Sequence, residues 1–313
     1  MIGGRDSNAA PRVGRPALLL TAVAAQILAG PPPRGESWLS ALAARVPDEG
    51  VPLGRLAVPL GLSRAPTLID WLPASARSLA EVGLLAASFD VVGCDRTAAR
   101  IERLLEAGRV AEAAALLPEL RGEPAEPAAD IPDDASPPGD APDSHAIASE
   151  TIAALARRPQ RYVAPWLSYG LLGLRGTMPL ALRPVWQAAL GWRSPLARRW
   201  TSARAAPTVR TLSDGAAAAA SVALAPLLGS SAAETWRAVE SAHSEPEIAA
   251  MAALLDRSLV VDGEPVNDQA APAGPEDVRR ARRIAWAIAA AAACASVGLI
   301  FATRLLRRIG LHL

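Results

Sequence analysis

The chain has 313 residues, and its 32 basic and 31 acidic side chains leave a net charge of +1, which gives no electrostatic footing for a nucleic-acid partner. Apolar residues make up 51%, mean hydropathy is +0.20, and β-formers are thin beside Ala, Leu and Arg, so composition favours helix. The 28 prolines and 23 glycines require many breaks, and two cysteines, Cys94 and Cys294, exclude a disulfide framework and a CxxC metal site.

Residues 1–15 are polar with Gly and Pro and read as a disordered start. At 17–30 the sequence ALLLTAVAAQILAG follows Arg15 and precedes three prolines and Arg34. A basic residue before a short apolar run fits a signal peptide. The later apolar spans favour a first membrane helix instead. The stretch 37–46 is amphipathic through Trp38, Leu39, Leu42 and Val46 and reads as interfacial, and 47–73 reads as loops. The next apolar stretch, 78–92, carries Glu81 and Asp90, which need polar partners if it packs inside a bundle. Residues 95–120 read as a pair of amphipathic helices, the first with Ile101, Leu104 and Leu105 on its stripe and an end at Gly108.

An acidic, proline-rich linker without aromatic residues occupies 123–144. A helix is predicted over 145–158. The apolar 163–191 is interrupted by Pro165, Arg175, Pro179, Arg183 and Pro184 and reads as a broken or hairpin element entering a membrane. Five arginines then mark 193–210 as a cytoplasmic loop. The uncharged 215–233 is a candidate span, 234–255 is amphipathic, and 256–275 is a polar connector. The decisive signal lies at 279–308. Arg279, Arg280, Arg282 and Arg283 precede twenty uncharged residues, 284–303, which are followed by Arg304, Arg307 and Arg308. As a helix those twenty residues reach about 30 Å, the hydrocarbon thickness of a bilayer, with arginines able to snorkel at both ends. The fold class expected from this pattern is all-α, a polytopic helical membrane protein with amphipathic and soluble helical segments. It implies three to five passes, a place in the cell membrane and the lipid bilayer as a partner. Its parts would be a start at 1–15, a membrane helix and hairpin region at 16–122, the linker at 123–144, a C-terminal helical membrane region at 145–308 and a tail at 309–313.

The run VAPWLSYGLLGLRGTMPLAL at 163–182, followed by GWRSP at 191–195, resembles the adenosylcobinamide-phosphate synthases of cobalamin biosynthesis. The opening ALLLTAVAAQILAG, the ARIERLLEAGRVAEAAALLPELRG piece at 99–122 and AAMAALLDRSL at 249–259 are similar to that family in the same order. The resemblance spans about 17–290 and implies a membrane enzyme that joins a corrinoid carboxylate to aminopropanol or its phosphate. ATP and Mg²⁺ would be its cofactors if it is active, and corrinoid-pathway proteins its neighbours. The departures are many. Where the resemblance places acidic or amide side chains, this chain has Ile152, Ala156, Arg157, Gln160, Pro184, Gln187, Ala206, Pro207 and Arg210. Trp192 replaces the family's histidine, and its HPSPN-like loop is reduced to His243.

Amide synthesis from ATP needs carboxylates for the metal, cations for phosphate and a base for the amine. The resemblance assigns phosphate or corrinoid binding to Arg193, Arg204 and Arg210, while Glu150, two residues from a family glutamate, and His243 are the candidate catalytic groups. The bland alternatives are a solvated arginine cluster and a surface histidine. No Asp or Glu occurs across 163–209, and no Walker A, GxGxxG or HExxH run is present. His145, His243 and His312 are widely separated, so no metal site is assigned. Three readings stay open: a divergent active synthase, a catalytically silent relative acting as a scaffold or interaction partner, and an unrelated helical membrane protein. For the linker the expectation is direct. Its composition cannot bury enough apolar area to offset the entropy of ordering. Limited proteolysis should cut within 123–144 first and leave the flanking parts folded; a chain resistant there would contradict the reading.

Overall fold

Alanine and leucine dominate the helices of this chain, and some of them stop at a glycine, as at Gly108 and Gly173. The computed structural model describes residues 14–29, 61, 63–88, 92–121, 143–181, 206–242, 245–261 and 263–309. The expected linker up to residue 142, the interfacial stretch at 37–46 and most of the arginine loop lie outside them, while 143 and 144 of that linker open a helix. In order come α1 (Arg15–Ala29), α2 (Ala74–Ser88), α3 (Val92–Glu106), α4 (Val110–Ala114) and α5 (Leu117–Arg121). Then follow α6 (Ser144–Arg157), α7 (Pro159–Leu172), α8 (Leu174–Ala181) and α9 (Ala206–Leu224), which runs into a 3-10 turn at Ala225–Leu228. Helices α10 (Ala232–Ser241) and α11 (Pro246–Leu255) precede an antiparallel hairpin, β1 (Leu259–Val261) with β2 (Glu264–Val266), and α12 (Pro275–Arg308) closes the chain.

The local signals account for the ends. Asp143 caps α6 by accepting from the His145 N–H at 3.0 Å. Ser231 caps α10 by accepting from the Glu234 N–H. Helix α3 stops before Gly108, which takes φ +70. Helix α12 starts at Pro275 with Glu276 and Asp277 in its first turn, and the Asp277 carboxylate accepts the Gly274 N–H at 3.1 Å.

The core is organised on α12. Val278, Ala281, Ile288, Ala292, Ser296 and Ile300 are buried along it at spacings of three and four, apart from one wider step, and so form one stripe on one face. That stripe meets α7, whose Tyr162, Trp166 and Tyr169 are buried at matching helical spacing. Ser296 Oγ donates to the Trp166 carbonyl at 2.6 Å, and the Tyr162 hydroxyl to the Ala285 carbonyl at 3.2 Å. Helices α3 and α6 pack on α12 beside α7, and α9 and α11 complete the bundle.

The expected polytopic membrane protein is thereby corrected. An all-α bundle with one small β-hairpin forms, knit by long-range helix packing and ion pairs. Among the described residues one helix, Pro275–Leu306, is long and apolar enough to cross a membrane, and a core helix passes the same test. The apolar stretches at Arg15–Ala25 and Gly215–Leu228 are too short. The expected element at 163–191 is, as far as 181, the pair α7 and α8. The pair breaks at Gly173, φ +72, rather than at Pro165, and α7 buries its aromatic face in the bundle.

The arginines in the first turns of α12 explain the error. Arg279 and Arg282 pair with Asp95, Glu102 and Glu106 of α3, and Arg280 with Asp277, so they face protein carboxylates rather than lipid headgroups. The uncharged length behind them serves a core stripe, with alanine filling much of the remaining circumference. The multi-pass cell-membrane assignment falls with the fold that motivated it.

Gly170 sets how closely α7 approaches α12. A Cβ there would lie 2.7 Å from the Ser296 carbonyl oxygen and 3.1 Å from Leu299 Cβ. Gly170→Ala should therefore push the helices apart and cost about 1–3 kcal/mol of stability in urea unfolding, as overpacking does. A neutral result would mean that the helices approach less closely.

Candidate functional site

Of the residues singled out by sequence, the structure describes the surroundings of Glu150 alone. Glu150 lies on α6 and forms an ion pair with Arg121 at the end of α5, both about one-third exposed. Arg210 lies on α9, with its side chain outside the described part, and Arg193, Arg204 and His243 lie wholly outside it. The neighbouring carboxylate Glu245 is gripped by Arg157 of α6 in a two-pronged pair, Nε to Oε1 at 2.9 Å and Nη2 to Oε2 at 2.8 Å. Among the described residues, no three His, Cys, Asp or Glu side chains come together to hold a metal.

The ionic groups on α3 and α12 form a lattice. Arg282 takes both oxygens of Asp95 at 2.8 and 3.0 Å and one of Glu102 at 2.8 Å. Arg279 holds the other Glu102 oxygen and Glu106, each at 2.6 Å. Hydrogen bonding to Asp95 raises the Arg282 pKa, and hydrogen bonding to Glu102 raises that of Arg279. These guanidinium groups are locked into structure and stay charged.

A different place gathers charge around open space. A cavity of about 610 Å³ lies where α1, residues 66–70, α2 and the α7–α8 junction meet. Arg15, Arg77 and Arg175 line it together with Asp70 and Glu81, and Leu18, Ile69 and Leu174 supply apolar wall. Arg175 Nη2 bonds Asp70 Oδ2 at 2.6 Å, and the buried Tyr169 hydroxyl donates to Glu81 Oε1 at 2.8 Å. Gly173 makes room for Arg15, since a Cβ there would lie 2.8 Å from the Arg15 guanidinium carbon. Sequence reasoning had Arg15 as a helix flank, Arg175 as an interruption and Glu81 as a carboxylate needing a partner. No periodicity links them, because their proximity depends on α1 and α2 meeting the α7–α8 break.

The chain matches no protein-family model, no curated protein and no solved structure. The site must be read from its own residues.

Burial raises the pKa of both tyrosines in the chain, Tyr162 and Tyr169, and the Glu81 carboxylate raises Tyr169 further. A phenol whose folded pKa is raised leaves stability intact below its unfolded pKa, about 10, and loses it as pH climbs beyond. Tyrosinate absorbance should therefore stay absent past about pH 10 and then appear for both residues in one step with the loss of helix. A gradual titration near pH 10 in folded protein would contradict this burial.

Proposed function

We propose that the chain is a catalytically silent relative of the adenosylcobinamide-phosphate synthases, serving corrinoid assembly as a helical scaffold or interaction partner. The ordered resemblance over 17–290 supports the pathway. The silence rests on one observation about the segment ahead of residue 163. Two positions where the resemblance expects polar chemistry, Ile152 and Ala156, are buried apolar side chains at 0% and 2% exposure. The next, Arg157, is occupied by Glu245 from the segment that carries His243. A site for ATP and Mg²⁺ needs carboxylates free to ligate. Here Glu150 and Glu245 are each engaged by an arginine. In this reading ATP and Mg²⁺ are not cofactors, and the partners are corrinoid-pathway proteins.

Purified full-length protein should turn over no adenosylcobyric acid with aminopropanol phosphate, ATP and Mg²⁺. It should also fail to restore growth to a synthase-deficient strain in which its presence is confirmed by blot. Growth without added cobinamide would overturn the silent reading. Deleting the gene in its own host should lower corrinoid output although a synthase remains; unchanged output would overturn the scaffold role.

A further inference from the structure

The cavity at the α7–α8 break carries cationic donors that the fold does not use. Three guanidinium groups line it against two carboxylates, a net positive balance; Asp70 is paired with Arg175, and Glu81 accepts from the Tyr169 hydroxyl. Arg77 donates through Nη2 to the backbone carbonyls of Asp70 and Leu72, but its Nε is buried with no acceptor among the described residues. Arg15 has no carboxylate partner among the described residues and is lodged over Gly173, whose φ of +72 and missing side chain admit it. Two guanidinium groups with no direct ion pair among the described residues, beside one cavity, suit an oxyanion, because each offers a planar fork of N–H donors.

The size and wall decide what carries the oxyanion. A volume of about 610 Å³ is that of a small-molecule pocket and exceeds what a bare phosphate fills. Leu18, Pro66, Ile69, Leu172 and Leu174 give it apolar sides. The geometry points to a binding site for a small organic oxyanion, a phosphate monoester or a carboxylate on an apolar body, with Arg15 and Arg77 holding its charged head. Leu18, Ile69 and Leu174 cover the body, and the Asp70–Arg175 pair at the rim holds the loop at 70 against α8. This site is argued from the cavity and its arginines and not from the corrinoid resemblance, although Leu18, Leu172, Leu174 and Arg175 lie within motifs that carry that resemblance.

Calorimetric titration of the full-length protein tests it, with phenyl phosphate, benzoate and inorganic phosphate as probes. Phenyl phosphate or benzoate should bind saturably below about 1 mM, and whichever binds more tightly identifies the head group. Inorganic phosphate should bind at least about 10-fold more weakly, for want of the apolar contact. Equal affinity would overturn the organic part of the assignment. Arg77→Gln and Arg15→Gln should each weaken binding about 10-fold or more. Arg103→Gln, on the exposed face of α3, should leave it unchanged. Circular dichroism and a thermal melt check each variant. If Arg77→Gln does not fold, because it also holds the loop carbonyls, Arg15→Gln carries the test. No saturable binding by either organic probe, or unchanged affinity in the folded arginine variants, would overturn the site.

Discussion

Glu102 is a carboxylate on α3 at 5% side-chain exposure, and two arginines of α12 meet its two oxygens. Removing such a charge from water costs several kcal/mol, which only close, well-directed cations can offset. Arg279 and Arg282 do so, and Asp95 and Glu106 extend the contact one way and the other along α3. Because 95, 102 and 106 share one face of that helix, the pairing fits a single axial position of α12. A slide of one turn would take at least one of these two arginines away from Glu102. The apolar stripe of α12 is then aligned with α7, so Ser296 meets the Trp166 carbonyl and Gly170 sits under the Ser296 backbone. Charge sets the register, and packing uses it.

The legible part of the fold was local. Ile101 and Leu105 on one stripe, Gly108 as a stop and the helix after 143 were all readable from spacing and caps, and the structure forms α3 and α6 there. The illegible part was the environment of those helices. A run of arginines before an uncharged stretch looks alike whether the cations face lipid or carboxylates, and the partners of Arg279 and Arg282 lie 173 to 187 residues away. Alanine compounds the ambiguity, since it is apolar enough for a span and small enough for a close-packed bundle. The hairpin at 259–266 was read only as a polar connector. Its strands are three residues each, too short for an alternating pattern to declare itself.

The candidate sites divide along the same line. Glu150 was singled out by register, and register could not show that Arg121 would claim it. The cavity residues went unnoticed because each is unremarkable in its own segment, and four separate pieces of chain converge to make the site. Cationic side chains thus play two parts in one molecule. On α12 Arg279, Arg280 and Arg282 are matched to acids, and Arg279 and Arg282 hold α3 in place. Around the cavity Arg15 and Arg77 have no carboxylate paired to them among the described residues, and an excess of fixed positive charge facing open space is an arrangement that a fold does not need for itself.

Asp277 has no exposure and serves three segments at once. One oxygen takes the Gly274 N–H at the start of α12 and the Arg257 guanidinium ahead of the hairpin, and the other meets Arg280, which also reaches the Leu255 carbonyl at the end of α11. The Arg257 carbonyl in turn accepts from Asn267 beyond β2. An isolated two-stranded hairpin is marginal in water, yet this one cannot peel away with Arg257 without removing one cation from a buried carboxylate at the first turn of the central helix. Opening of the hairpin, the end of α11 and the beginning of α12 is therefore coupled, and the short sheet shares the protection of the longest helix among the described residues.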